Sequence, residues 1–418
     1  LSSPRGGGEL QAQLEHFQDA FERVREDYVV PVDDEILLTA AIEGARKFGE
    51  EKGAGKPSEV VEAALDGMLS KLDPHTSYLN AREFGEMQIT TRGQFGGLGI
   101  EVSEENGLIK VIAPIDDTPA ARAGIVTGDL ITHVEGEAIE GLGLGEAVRR
   151  MRGPPGTSIR LTVKRGDQSP FVVALERAVI RVRSVRWRLE GSVGYLKVST
   201  FNEQVSSGVD RAMDALRAES GGKMSGLILD LRSNPGGLLD ESVWLSDAFL
   251  NEGTIVEVRG RDAGNSRSYR ASRGDMAAGL PVLVLIDGGS ASASEIVAAA
   301  LQELGRARVM GVRSYGKGSV QTIMPLPREG AMRLTTQRYY TPLGQSIQNY
   351  GVDPDILVMP AKPTELRRES DLPGALPSDH VEDGRKRVEV LENDCPERPD
   401  NDRMLGCALL LLRTGQEQ

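Results

Sequence analysis

Cysteine, histidine and long apolar runs are scarce in this chain, positive charge is outnumbered by negative, and each shortage removes a class of function. Only Cys395 and Cys407 are present, twelve residues apart. They could close one disulfide in an oxidising compartment or stand as two thiols, and no histidine lies close to either, which leaves a metal site unsupported. His16, His75, His133 and His380 are scattered over the chain. No Ser-His-Asp order emerges from them, and neither H-E-x-x-H nor paired-cysteine spacing occurs. The net charge of -13 argues against nucleic acid as a partner, because sequence-independent affinity for phosphates comes from clustered Lys and Arg. The longest clear apolar run near the end, Met404 to Leu412, has nine residues, against the roughly 20 that span a bilayer. The sequence opens at Leu1 without methionine or a basic-then-apolar signal, so an export segment could have been removed from it.

What is present is ordinary in bulk and rich in glycine. Apolar residues make 39% and charged residues 27% of the 418, which is a soluble, globular balance, and 49 glycines imply many turns and close backbone approaches. Length alone allows roughly three domains of about 100 to 200 residues.

Four stretches differ in periodicity. Leu10, Leu14, Phe17, Phe21 and Val24 form one helical stripe; further helices are expected from Asp34 to about Phe48 and from Pro57 to Leu72, with Glu50 to Lys56 between them and Asp73 to Leu79 breaking the pattern. From about Gly93 to Ile180 short strands take over, including Ile109 to Ala113, Leu130 to Val134 and Ser158 to Val163, with helices at Ala120 to Ala123 and Leu144 to Met151. The stretch Ile180 to Arg188 alternates apolar and basic residues, as a strand with one wet face would. After Gly191, strand and helix alternate: Val193 to Val198, Gly226 to Leu231 before Asn234-Pro235-Gly236-Gly237, Pro281 to Ile286 before a helix, and Ala307 to Val312. This is an α/β layout, in which sites gather at the carboxyl ends of strands. Residues 361 to 400 read as flexible, ahead of a short docking helix at Met404 to Leu412.

The chemical signal lies after Pro281 to Ile286. Ser290-Ala291-Ser292-Ala293-Ser294-Glu295 puts serine hydroxyls and free N–H groups at a helix start, where a nucleophile and an oxyanion site can share one segment. The same residues fit a capping box, with Ser292 as cap and Glu295 reaching back, and Ser290 and Ser294 compete with Ser292 for the nucleophile role. Lys317 in Tyr315-Gly316-Lys317-Gly318 is a base if desolvation keeps its amine neutral. The lysine loop imitates a phosphate loop but has Gly318 where Ser or Thr must hold magnesium.

Taken together these motifs resemble a family. Gly97-Leu98-Gly99-Ile100, Asp117 to Ile125 and Gly128-Asp129-Leu130-Ile131 resemble a bacterial PDZ domain; Ser290 to Glu295 with Tyr315-Gly316-Lys317-Gly318 and Gln321 resembles the active site of carboxyl-terminal processing (tail-specific) proteases. The likeness covers roughly residues 10 to 360. It implies a mixed α/β fold with a crotonase-like protease core and an inserted PDZ domain: a helical segment at 1–88, PDZ at 89–180, the core at 181–360 and a tail at 361–418.

It implies Ser292 as nucleophile, Lys317 as general base, Gln321 as the residue orienting the lysine, and an oxyanion hole from Ala293 and one of Gly236 and Gly237. The amides of Gly97, Leu98, Gly99 and Ile100 would receive a substrate's terminal carboxylate, with strand addition and an apolar pocket completing recognition, and peptide binding there could gate the site. No cofactor or metal is implied. The expected partners are proteins with accessible or unfolded carboxyl termini, a second copy of the chain in a homo-oligomer, and an adaptor lipoprotein; the expected location is periplasmic or extracytoplasmic. Two departures stand out: Thr39 to Val61 is longer than the family's usual helical segment, and the two tail cysteines lie outside the shared pattern. The alternatives to a peptidase are a non-catalytic PDZ adaptor and a crotonase-type coenzyme-A enzyme.

Overall fold

Uninterrupted apolar runs place the central strands. Gly226–Asp230 and Val282–Ile286 are buried at every residue, the pattern of strands covered on both faces. The computed structural model describes residues 5–53, 55–105, 107–115, 117–272, 274–361, 367–381 and 387–414. It divides into two compact units, Leu1–Thr91 with Ser184–Gln418, and Arg92–Arg183.

The larger unit is built on a seven-stranded sheet in the order Val185–Glu190, Val193–Val198, Gly226–Asp230, Val282–Ile286, Ala307–Gly311, Ile356–Met359 and Val388–Leu391. The first pair is antiparallel and every later one parallel. One core joins this sheet to the helices Val205–Glu219, Leu239–Asp247 and Ala293–Glu303 through Leu196, Leu229, Val284, Met213, Leu245 and Val297. On the other core, Tyr195, Ile228, Leu283 and Met310 meet Leu405, Ala408 and Leu409 of the closing helix Arg403–Thr414. Among the described residues no helix is long and apolar enough to cross a membrane.

A second, five-stranded sheet is antiparallel: Ala331–Tyr340 pairs with Ser77–Leu79, Thr254–Gly260 and Ser319–Pro325, and Thr254–Gly260 also pairs with Arg267–Arg270. The amino-terminal helices Arg5–Asp27, Asp34–Lys52 and Pro57–Leu69 pack on it, Val24, Leu37, Leu65 and Met68 clustering with Met332 and Leu334.

The smaller unit has its own core of Ile109, Val111, Ile131, Ile159, Leu161 and Val163. It is a five-strand path with a two-residue side strand, Glu137–Ala138, beside a separate pair, Gln94–Gly97 with Ala178–Arg181. Helices Pro119–Arg122 and Leu144–Met151 complete it.

Three expectations need correcting. Ile180 to Arg188 is not one strand: Ala178–Arg181 and Val185–Glu190 belong to different sheets, and the chain changes units at Arg183–Ser184, where Ser184 is buried with its hydroxyl on Asn202 Oδ1. The second helix runs past Phe48 into the expected spacer and ends at Lys52. The region 361 to 400 is ordered where it is described: Val388–Leu391 extends the parallel sheet, Glu369 is buried, and Cys395 forms a disulfide with Cys407. Residues 362–366 and 382–386 of that region lie outside the described residues.

Candidate active site

Three turns meet at the carboxyl ends of the parallel strands and beside them. The first follows Gly226–Asp230, the second follows Val282–Ile286, and the third, carrying Lys317, lies between Ala307–Gly311 and Ser319–Pro325. Asn234 and Glu295 stitch them together.

Asn234 is fully buried. Its Nδ2 donates to Val198 O at 2.8 Å, and its carbonyl accepts Ala291 N at 3.0 Å and Ser294 Oγ at 2.9 Å. The first turn is thereby locked to the start of the serine helix. A Cβ on Gly236, at φ 100, would lie 2.9 Å from Ser292 Cβ and 3.0 Å from Ala293 N, so only glycine lets this turn lie against the serine.

The structure separates the three competing serines. Ser290 is buried, donates to Leu231 O at 2.8 Å and accepts Asp287 N at 2.9 Å. Ser294 is buried on Asn234 O. Both hydroxyls are occupied by the turn. Ser292 is the N-cap of helix Ala293–Glu303, at φ 53 and ψ -112, a backbone conformation that costs a non-glycine residue about 1–3 kcal/mol.

Glu295 has no exposed surface. Residues Ala293 to Leu301 are all buried, so its carboxylate turns inward. One oxygen accepts Ser292 N at 2.6 Å and Lys317 N at 2.9 Å; the other accepts Ser314 Oγ at 2.6 Å and Gly316 N at 2.7 Å. Glu295 thus reaches back to the Ser292 N–H as the capping-box reading expects, while the same carboxylate also holds the lysine loop. Burial pushes it up to about 7 despite these four donors, and among the described residues no cation forms an ion pair with it.

Lys317 is half-buried. Burial, and then the charge of Arg333, lower its amine below the usual lysine value, against the opposing pull of Glu369, Asp73 and Glu295. Gly318 continues the loop, with N–H on Gln348 Oε1 at 3.0 Å; a Cβ there would fall 2.4 Å from Gln348 N.

Gln321 sits in the strand Ser319–Pro325. Its Nε2 donates to Ser319 Oγ at 2.9 Å and Thr335 Oγ1 at 3.2 Å, and Thr335 donates to Asp73 Oδ1 at 3.0 Å. Among the described residues its side chain makes no hydrogen bond to Lys317, so any influence on the lysine runs through this network. Tyr339 is buried: desolvation raises its phenol, and the Ser292 side chain is a smaller, opposing influence.

Of the two candidate oxyanion glycines, Gly236 already donates its N–H to Asn234 Oδ1 at 2.9 Å. Gly237 is exposed, and among the described residues neither its N–H nor that of Ala293 has an acceptor. In the smaller unit Gly97 closes one strand and Ile100 opens the next. The carbonyl of Leu98 accepts Ala120 N at 3.0 Å and that of Gly99 accepts Ile115 N at 2.9 Å. The N–H groups of Leu98 and Gly99 have no acceptor among the described residues.

Sequence reasoning missed the residues around the lysine. His75 Nε2 lies 2.9 Å from Glu369, which is buried and also accepts Gln348 Nε2 at 3.2 Å. Asp73 is buried on Thr76 and Thr335. The signal that could have found Glu295 was present: an acid inside an otherwise apolar helix start must be buried or break the pattern.

Comparison with known proteins decides the family. The chain is 44% identical over 409 residues to the carboxy-terminal-processing protease of Bartonella bacilliformis, covering 96% of this chain and 88% of that protein. The chain belongs to peptidase family S41. The family profile matches residues 192–358, and that of the PDZ domain matches residues 110–165. A probable CtpA-like serine protease of Staphylococcus aureus is 35% identical over 300 residues, covering 71% of this chain and 60% of the relative. Among solved structures, the photosystem II D1 C-terminal processing protease is similar at 26% identity and a TM-score of 0.49, covering 83% of this chain and 93% of its own. This S41 chain is a serine-type peptidase with a mixed α/β fold and a PDZ domain.

Proposed function

We propose that this S41 peptidase cleaves proteins presented by their carboxyl-terminal ends, with Ser292 as nucleophile and Lys317 as general base. The observation that carries the reading is the single buried carboxylate, Glu295, accepting the backbone N–H of both residues at 2.6 and 2.9 Å. Lys317 Nζ, its proton affinity lowered by burial, takes the Ser292 proton as Oγ attacks a peptide carbonyl carbon. The tetrahedral oxygen receives the N–H groups of Ala293 and Gly237. Collapse releases the amine, which leaves with the proton held by Lys317. Water, deprotonated by the same lysine, then hydrolyses the Ser292 ester.

Gln321 contributes at one remove, through Ser319 and Thr335. The PDZ domain receives the substrate's end, and the unpaired amides of Leu98 and Gly99 suit a terminal carboxylate. The Cys395–Cys407 disulfide supports an oxidising, extracytoplasmic compartment.

The test is digestion of a disordered protein by wild type, Ser292→Ala and Lys317→Ala, with products read by mass spectrometry. Ser292→Ala should be inactive and Lys317→Ala slower by roughly a hundredfold or more. Cleavage by Lys317→Ala at the wild-type rate would refute the lysine base. A substrate with an amidated carboxyl terminus should show a raised KM; an unchanged KM would remove the PDZ domain from recognition.

A further inference from the structure

The turn that carries Gly236 and Gly237 begins at a charged knot. Arg232 donates from Nε and Nη2 to Asp230 at 3.0 and 2.6 Å, and from Nη1 and Nη2 to Asp402 at 2.8 and 2.7 Å. Asp230 is fully buried at the end of its strand and also accepts Tyr195 Oη at 2.7 Å. Only 16% of the Arg232 side chain is exposed. Asp402 belongs to the tail: it caps the closing helix by accepting Leu405 N at 3.0 Å, and it lies inside the loop closed by Cys395 and Cys407. On its far side the turn is held by Asp287, which accepts Ser233 N at 2.8 Å and Ser233 Oγ at 3.0 Å.

We propose that Arg232 is a positioning residue for the oxyanion turn, held in place by Asp402 of the disulfide-closed tail, so that reducing Cys395–Cys407 slows catalysis without weakening substrate binding. This rests on the reading of Gly237 as an oxyanion donor. Bidentate pairing fixes a guanidinium in direction as well as distance. Without Asp402 the plane keeps only Asp230, and the turn four residues on, still tied by Asn234 and Asp287, loses the fixed support at its start. An ångström of displacement in a reacting group costs up to about a hundredfold in rate. Opening the disulfide restores conformational freedom to the loop that carries Asp402. The step consumes two electrons and two protons from an external dithiol, which becomes a disulfide as Cys395 and Cys407 become thiols.

The experiment uses the full chain, oxidised and after dithiothreitol, as wild type, Asp402→Asn, Asp402→Glu and Cys395→Ser/Cys407→Ser. Steady-state cleavage of a disordered protein is measured below the melting temperature of every form, with the folded fraction followed by circular dichroism. The expected results are a kcat lowered roughly tenfold with KM within about twofold in Asp402→Asn, reduced wild type and the double serine variant. Asp402→Glu should recover part of the loss, and Asp402→Asn should lose little more on reduction. Unchanged kcat in Asp402→Asn, equal further losses on reduction in wild type and Asp402→Asn, or a kcat that only tracks the folded fraction would each overturn the proposal. If oxidised wild type shows no Ser292-dependent turnover, the dyad itself is wrong and this proposal falls with it; failure with an active wild type is specific to the clamp.

Discussion

Two buried acids hold the turns of this site, and they do so by opposite electrostatics. Asp230 faces a guanidinium: burial alone would raise its carboxyl, but the hydrogen bonds and charge of Arg232 hold it below the usual range. Glu295 takes its four hydrogen bonds from neutral groups alone, three amides and a hydroxyl, and burial lifts it to about 7 in spite of them. A cation compensates for desolvation where amides and a hydroxyl do not. The charged knot is thus indifferent to neutral pH, whereas the carboxylate joining Ser292 to Lys317 titrates within it.

The sharpest way to break this comparison is to delete each acid. Glu295→Ala orphans the N–H groups of Ser292, Gly316 and Lys317 and the Ser314 hydroxyl at once; unfolding in urea should show a loss of about 4 kcal/mol or more, with turnover falling to background. If Glu295→Ala is no less stable than Ser290→Ala, Glu295 is not the organiser described above.

Next in size are opposed pH slopes of stability. Glu295 has its folded pKa raised from 4.5 to about 7, so its contribution is complete below about 4.5 and lost as pH rises through about 7, a change of roughly 3 kcal/mol. Asp230 and Asp402 are lowered from 3.8, so their contributions stand above that value and fade as pH drops through the folded values. Urea melts from pH 4 to 8 should show the declining component in wild type and not in Glu295→Gln. Activity has its own rising limb: kcat/KM should increase with pH as Lys317 loses its proton, with a midpoint below the ordinary lysine value of 10.5. A limb at or above that value would mean that the amine is not desolvated in the working enzyme.

The smallest effects concern the neighbouring serines. Ser290→Ala and Ser294→Ala should each cost about 1 kcal/mol of stability, with turnover per folded molecule retained within a few-fold. An inactive, folded Ser294→Ala variant would reassign the nucleophile.

The centre of the parallel sheet was legible in the sequence because strands buried on both faces are written as apolar runs, whereas Ile356–Met359 and Val388–Leu391 at its far edge were not read as strands. The runs at Val193, Gly226, Pro281 and Ala307 mark real strands to within a residue. The antiparallel sheet was not. Ala331–Tyr340 mixes Arg333, Thr335, Gln337 and Arg338 with its apolar residues, and its pairing with Ser77–Leu79 joins positions more than 250 residues apart, beyond any local pattern. Helix Ala81–Arg92 escaped for another reason: it buries no residue, so it has no apolar stripe to display.

At the site, the nucleophile and base candidates came from motif resemblance, while their physical setting did not. Sequence could not distinguish Ser290, Ser292 and Ser294, because what separates them is the carbonyls of Leu231 and Asn234 from another turn. Nor could it show that the N–H of Gly236 is taken by the Asn234 side chain while that of Gly237 has no acceptor among the described residues.

The backbone at Ser292, φ 53, is one that glycine adopts freely and serine resists. Replacing the serine by glycine should therefore relax this position, and the resulting protein should melt later than its Ser292→Ala counterpart. Tension at this point lowers durability for any side chain larger than glycine's hydrogen.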